Sequence, residues 1–206
     1  MSKKEERVVQ IPINGAIIEG NLYVPSDAKG IVLFAHGSGS SRFSPRNQYV
    51  AGVLNNAEIA TLLIDLLTSE EDEIDIHTRQ YRFDIELLTQ RLLSAAEWLK
   101  KNPVTQRLSL GLFGSSTGAA AALIAATKIP SDVRAVVSRG GRPDLAMEYL
   151  KDVRAPILFI VGGRDTVVID LNKKAMAQVS AEKRLEIVPG PRIFLRNQEN
   201  LRRLPS

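Results

Sequence analysis

The sequence predicts a single α/β domain built on a mostly parallel, doubly wound β-sheet. Two apolar segments near the N-terminus have the pattern of antiparallel strands, and short apolar runs then alternate with helical patterns. This order is typical of parallel strands joined by crossover helices. Several of the runs are apolar almost throughout, as strands covered on both faces must be. The 206 residues are enough for one substantial core and few for two.

Eight strands and four helices are predicted. The strands cover residues 8–13, 16–24, 31–35, 59–65, 108–113, 133–138, 157–161 and 184–188. The helices cover residues 78–101, 117–128, 144–150 and 170–179. The longest helix carries apolar residues three or four positions apart, which gives one buried stripe. Pro103 and Pro130 stand where two of the helices should end.

Composition and charge exclude several classes of protein. With 44% apolar and 24% charged residues, no long apolar run and no apolar stretch at the N-terminus, we expect a cytoplasmic protein without membrane contact. The chain has no cysteine and only two histidines, so we expect no metal site. The net charge is +4, but residues 191–206 alone contribute +3. We therefore expect no nucleic-acid partner.

A turn rich in small residues follows the strand 108–113. In "LGLFGSSTGAAAA", residues 110–122, the G-x-S-x-G spacing fits Ser116 but not Ser115, because position 113 is Phe113. Such a spacing between a strand and a helix indicates a nucleophile elbow, with glycines that let neighbouring backbone come close. The N-terminus of the following helix favours a developing oxyanion. The alternative is an ordinary Gly/Ser turn.

Two further loops supply candidate partners for Ser116. In "IVLFAHGSGSSR", the backbone N–H of Ser38 is predicted to form an oxyanion hole with that of Thr117. His36 and Gly37 are interpreted as support for this loop, not as a base. Asp165 follows the strand 157–161 and is the candidate triad acid. Two alternatives remain: Asp165 is only a turn residue, or Asp170 is the acid, although an N-cap role would explain Asp170.

The chain resembles α/β-hydrolases of the dienelactone hydrolase-like kind over residues 7–190. The resemblance rests on "LFAHGSGSSR", "LGLFGSSTGAAAAL", "APILFIVGGRD" and "LEIVPG". It implies hydrolysis of a small ester, lactone or similar acyl substrate without a cofactor, and it maps Ser116 and Asp165 as nucleophile and acid. Dienelactone hydrolases proper use cysteine, so serine here favours esterase-type chemistry. The short stretch 139–156 leaves no room for a large cap.

The family's catalytic histidine has no counterpart in the sequence. It should follow Asp165, but no histidine occurs after His77, which is interpreted as a solvated residue at the start of a helix. Without an imidazole, Ser116 is a poorly activated hydroxyl. The serine hydrolase predicted from the resemblance is therefore expected to be crippled in this chain.

The residues after Gly190 suggest a cause for the missing histidine. If the codons of residues 191–205 are read with one G restored, they can spell Ala-Thr-His-Leu-Phe-Glu-Glu-Pro-Gly-Lys-Leu-Glu-Glu-Val-Ala. This continuation is typical of the family and places a histidine where Ile193 stands. We therefore predict a hydrolase domain over 1–190 and an out-of-frame tail over 191–206. Restoring the frame would change the net charge from +4 to −2.

Two other functional classes are compatible with parts of the pattern. One is a non-catalytic binding or scaffold protein that keeps the fold without a working triad. The other is a phosphate- or nucleotide-binding module built on the Ser/Asp pair. The second is disfavoured because no P-loop lysine follows the glycine turn, and alanines follow Gly118 instead.

Overall fold

The computed structural model describes residues 6–190, which form one eight-stranded sheet with helices on both faces. The strands are β1 (Arg7–Ile13), β2 (Ala16–Tyr23), β3 (Gly30–Ala35), β4 (Ile59–Ile64), β5 (Ser109–Ser115), β6 (Val133–Arg139), β7 (Ile157–Gly162) and β8 (Lys183–Val188). The helices are α1 (Pro45–Asn56), α2 (Ser69–Thr78), α3 (Ile85–Lys101), α4 (Thr117–Lys128) and α5 (Thr166–Gln178). A 3₁₀ segment, Pro143–Asp152, lies between β6 and β7.

The strand order β1-β2-β4-β3-β5-β6-β7-β8 confirms the predicted doubly wound sheet. β1 pairs antiparallel with β2, β2 pairs antiparallel with β4, and all later pairs are parallel. From β3 the chain first moves to β4 on one side and then returns to β5 on the other. The carboxyl ends of β3 and β5 therefore flank a topological switch point, where α/β sheets bind their ligands.

The larger core lies between the sheet and the layer formed by α3, α4 and the 3₁₀ segment. Ala119 to Ala122 in α4 are all fully buried, because methyl side chains let this helix lie close to the sheet. A smaller cluster beneath α1, on the opposite face, includes Phe34 and Phe113. Their ring centroids are 4.8 Å apart.

Every predicted strand is present, with ends within two residues of the expected ones, and the helix 117–128 has the predicted bounds. The prediction of a helix over 78–101 is wrong at its start. α2 ends at Thr78, Arg79 adopts a left-handed conformation with φ 58°, and α3 begins only after its N-cap, Asp84. The segment predicted as helix 144–150 is the 3₁₀ segment.

The helix predicted over 170–179 begins four residues earlier, at Thr166. Asp165 is its N-cap, whereas Asp170 lies exposed within the helix, so the N-cap assignment to Asp170 is wrong. α1 and α2 were not predicted. Each lies on the surface and buries only one or two residues, so neither has an apolar stripe in its sequence.

Only the 3₁₀ segment separates β6 from β7, so the part of the chain that the structure describes has no large cap. None of its helices is long and apolar enough to cross a membrane. The tail predicted to be out of frame, 191–206, lies outside the described residues.

Candidate active site

Ser116 occupies a strained turn between β5 and α4. Its backbone has φ 53° and ψ −123°, a conformation that L-residues other than glycine rarely adopt. The residue is half-buried and its side chain makes no capping hydrogen bond to α4. Strain of this kind persists only where the surroundings enforce it, and it holds the Ser116 side chain at the carboxyl edge of the sheet.

Close backbone contacts require glycine at both ends of the G-x-S-x-G motif, Gly114 and Gly118. A Cβ at Gly114 would lie 2.4 Å from the Cα of Ala119, and one at Gly118 would lie 2.4 Å from the carbonyl oxygen of His36. Both distances are far below any real Cβ contact. Gly118 therefore lets the start of α4 touch the end of β3, which brings the elbow and the loop after β3 together.

Ser115 is held in a different environment from Ser116. It is 7% exposed, its Oγ donates a hydrogen bond to Oδ1 of Asn47 at 3.4 Å, and it accepts one from Nη2 of Arg139 at 3.0 Å. These contacts turn the hydroxyl of Ser115 beneath α1, away from the edge of the sheet.

His36 braces the loop that follows β3. Its Nδ1 donates to the carbonyl oxygen of Gly37 at 2.9 Å, and its Nε2 accepts from the backbone N–H of Leu66 at 3.1 Å. Burial lowers the pKa of the His36 imidazole, which is therefore neutral near pH 7. Both ring nitrogens are occupied, so His36 is not placed to accept a proton from Ser116.

The residues predicted to form the oxyanion hole lie side by side. The hydroxyls of Ser38 and Thr117 are 2.9 Å apart, which places the loop after β3 directly against the start of α4. A Cβ at Gly37 would lie 3.0 Å from Cβ of Ser116, so this loop also contacts the elbow. The N–H of Thr117, in the first turn of α4, is one of the helix donors that have no partner within the helix.

Arg42 anchors the far end of the same loop, a role that no sequence motif indicates. Its backbone N–H donates to Oδ1 of Asp65 at 2.8 Å, and its guanidinium contacts Asp65, Asn21 and Glu19. The side chain is only 12% exposed. These contacts tie the loop to the carboxyl end of β4 and to β2.

Asp165 follows β7 at the same edge of the sheet. It is half-buried, and its Oδ1 accepts a hydrogen bond from the N–H of Val168 at 3.4 Å. Because β6 lies between β5 and β7, Asp165 stands two strands from Ser116. The structure thus places the loop after β3, Ser116 and Asp165 along one carboxyl edge.

His77 lies in the last turn of α2, not at the start of a helix as predicted, and it is exposed. Position 193, where the restored reading frame would place a histidine, lies outside the described residues. Within residues 6–190, no cluster of three or more histidine or acidic side chains could hold a metal ion.

Comparison with known proteins gives consistent matches. The dienelactone hydrolase family model matches residues 20–190. A dienelactone hydrolase from Anabaena variabilis is 56% identical with a TM-score of 0.91, and the match covers 93% of this chain and 89% of that one. The esterase Est1E from Butyrivibrio proteoclasticus is 13% identical over 94% of this chain and 93% of its own, with a TM-score of 0.76, and shares the fold.

Two curated relatives come from different strains of Mycobacterium tuberculosis and carry a provisional phosphoribosyl transferase name. Each is 54% identical to this chain over 182 residues, which is 88% of this chain. The chain spans only 40% of the length of these relatives. The family model and the high identity to the Anabaena protein show that this chain belongs to the dienelactone hydrolase family.

Proposed function

We propose that this chain is a hydrolase of small esters, lactones or similar acyl compounds with Ser116 as its nucleophile. The observation that carries the proposal is the strained backbone of Ser116 at the end of β5, enforced by the close contacts at Gly114 and Gly118. Family membership supports hydrolysis. Esterase-type chemistry rests on serine at position 116, where dienelactone hydrolases proper have cysteine.

In the proposed reaction, Oγ of Ser116 attacks the acyl carbonyl carbon. The tetrahedral oxyanion accepts hydrogen bonds from the backbone N–H groups of Ser38 and Thr117, and the α4 dipole favours its charge. The intermediate collapses to an acyl-enzyme and releases the alcohol. Water then attacks the acyl-enzyme and regenerates Ser116.

Acylation needs a base that takes the Ser116 proton and gives it to the departing alcohol. Deacylation needs the same base to take a proton from water and give it to Oγ of Ser116 as the acid is released. Asp165 is proposed to orient this base and to stabilise its charged form. His36 has both nitrogens engaged, and His77 lies exposed on α2. We propose that the base is the histidine of the restored reading frame at position 193, so that the chain as given catalyses weakly. Sequencing the gene through codon 190 tests this cause directly.

A fluorophosphonate probe tests the nucleophile in the full chain and in a version with the restored tail. Intact-mass measurement of the version with the restored tail should show one label per chain, which Ser116→Ala abolishes, and the chain as given should be labelled more slowly because Ser116 lacks its base. Ser115→Ala is the matched control and should largely retain labelling, because the Ser115 hydroxyl is directed at Asn47 and Arg139. Labelling that depends on Ser115 instead would refute the elbow assignment.

The second candidate is a non-catalytic binding or scaffold protein. It is favoured by one observation, the lack of any histidine after His77 in this sequence. It predicts no labelling and no hydrolysis of short-chain esters by either version. The phosphoribosyl transferase name describes relatives that are more than twice as long as the matched region.

A further inference from the structure

The two segments that would form the oxyanion hole are joined by their own side chains. Ser38 lies in a loop between Gly37 and Gly39, and Gly39 has φ +67°. Thr117 lies at the start of α4 and is 2% exposed. Their hydroxyl oxygens are 2.9 Å apart, although 79 residues of sequence separate them. This contact joins the loop after β3 directly to the first turn of α4.

The direction of these hydrogen bonds follows from a third group, the backbone carbonyl of Arg82. Oγ of Ser38 lies 3.3 Å from the backbone carbonyl oxygen of Arg82, which can only accept. Ser38 therefore donates its proton to Arg82, and Thr117 donates its own to Ser38. These two hydrogen bonds form a hydroxyl series in which Thr117 donates to Ser38 and Ser38 donates to the carbonyl oxygen of Arg82.

Arg82 is itself held by a buried carboxylate. Asp75 is 1% exposed and accepts hydrogen bonds from the backbone N–H groups of Tyr81 at 2.7 Å and Arg82 at 3.1 Å. It also pairs with Nε of Arg82, whose Nη2 donates to the Asp75 carbonyl oxygen at 2.9 Å. The acceptor for Ser38 is thus fixed by the junction between α2 and α3.

We propose that the hydroxyls of Ser38 and Thr117 are positioning residues that set the separation of the two oxyanion-hole N–H groups. This rests on the proposed hydrolase function. A loop with glycine on both sides of Ser38 has wide backbone freedom, and a donor acts on an oxyanion only within about 0.2 Å of its proper distance. The hydroxyl series supplies the missing restraint, and neither hydroxyl contacts the reacting atoms.

The test uses the full chain and removes each hydroxyl while keeping both backbone N–H groups. Without a catalytic histidine, the turnover that remains comes from the oxyanion hole and substrate binding. We expect Thr117→Val and Ser38→Ala each to lower kcat for p-nitrophenyl butyrate by about tenfold, below the roughly 10²-fold effect of losing a whole donor. KM should stay within about twofold of the parent value, since the donors act mainly on the transition state.

Three comparisons separate positioning from general damage. Thr117→Ser keeps the hydroxyl and should restore kcat. Thr127→Val removes a matched hydroxyl from the other end of α4, where it donates to the carbonyl of Ile124 at 2.7 Å, and should leave kcat unchanged. The double variant Ser38→Ala/Thr117→Val should have a kcat no lower than that of the slower single variant, because both substitutions interrupt the same hydroxyl series.

Hydrogen exchange of the amides in 36–40 gives a readout that needs no turnover. Exchange should be faster in Thr117→Val and Ser38→Ala than in the parent and in Thr117→Ser. Unchanged exchange overturns the proposal, and so do additive losses of kcat or a Thr117→Ser variant as slow as Thr117→Val. If the probe does not label Ser116 and no turnover is seen even in the version with the restored tail, the hydrolase proposal fails. The exchange rates then decide separately whether the hydroxyls hold the loop.

Discussion

Replacing Gly118 with alanine should separate the elbow from the loop after β3. The added Cβ would lie 2.4 Å from the carbonyl oxygen of His36 and 2.6 Å from that of Ala35. An ordinary contact of this kind is about 3.4 Å, so the start of α4 must move by about 1 Å relative to β3. Both neighbours are backbone atoms, and no side chain can rotate away to make room.

The cost follows from two opposing effects. Overpacking a well-packed site costs about 1–3 kcal/mol, and the rigid neighbours place this one near about 3 kcal/mol. Alanine is a better helix former than glycine by up to about 1 kcal/mol. The net loss of unfolding free energy is therefore about 2 kcal/mol, which lowers Tm by about 4–8 °C in a chain of this size. A shift of about 1 Å at the elbow should also slow the chemistry by roughly 10²-fold.

Gly52→Ala is the matched control. Gly52 lies within α1, and a Cβ there would meet nothing within 4 Å. The same substitution should raise Tm by about 2–4 °C through helix propensity alone. Thermal melting and the rate of fluorophosphonate labelling at Ser116 measure the two effects. A Gly118→Ala variant with unchanged Tm and an unchanged labelling rate would refute the close-contact argument.

Two further predictions concern the buried carboxylate and the tail. Asp75→Asn should cost about 3 kcal/mol at pH 7, because it removes one partner of a buried ion pair. Burial alone would raise the pKa of Asp75, but hydrogen bonds from Arg82 and Tyr81 lower it, so this stabilisation is present above about pH 4 and lost as the pH falls further. The gap in unfolding free energy between parent and variant should narrow below about pH 4, and a constant gap in acid denaturation would contradict this assignment. Restoring the reading frame after Gly190 should raise kcat/KM for short-chain esters by at least about 10³-fold and should also raise Tm. Equal values of kcat/KM and Tm for the two versions would show that the restored tail supplies neither the base nor packing against the domain.

Most strands were predictable because they are buried on at least one face along much of their length, whereas the edge strand β8 has no buried residue. Such burial leaves an apolar run that can be read locally, as in β3 and β7. α4 was equally clear, since its alanines are buried between the sheet and neighbouring helices. α1 and α2 cover little apolar surface, and their sequences therefore lack the periodicity that indicates a helix.

In the candidate site, too, some features leave a local sequence pattern and others do not. The strained turn at Ser116 was predictable because it needs glycine at fixed positions nearby, and that need leaves a pattern in the sequence. The contacts of Arg42 with Asp65 and of Ser38 with Thr117 join residues far apart in the chain. No local pattern indicates that Arg42 pairs with Asp65. The motifs predict that the backbone N–H groups of Ser38 and Thr117 come together, but not that their hydroxyls are hydrogen-bonded.

The order of elements explains how one slip in the reading frame could remove the base and leave the rest of the site intact. Ser116, Asp165 and the loop after β3 all precede β8, which within residues 6–190 pairs with β7 alone. The strain at Ser116 accompanies close contacts among β3, β5 and the start of α4, all of which lie within residues 6–190. On the proposed mechanism, the oxyanion hole is therefore assembled without the base. Catalysis by the chain as given should then report the contribution of the oxyanion hole alone. Comparing the given and restored chains should measure what the imidazole adds to an oxyanion hole that is already in place.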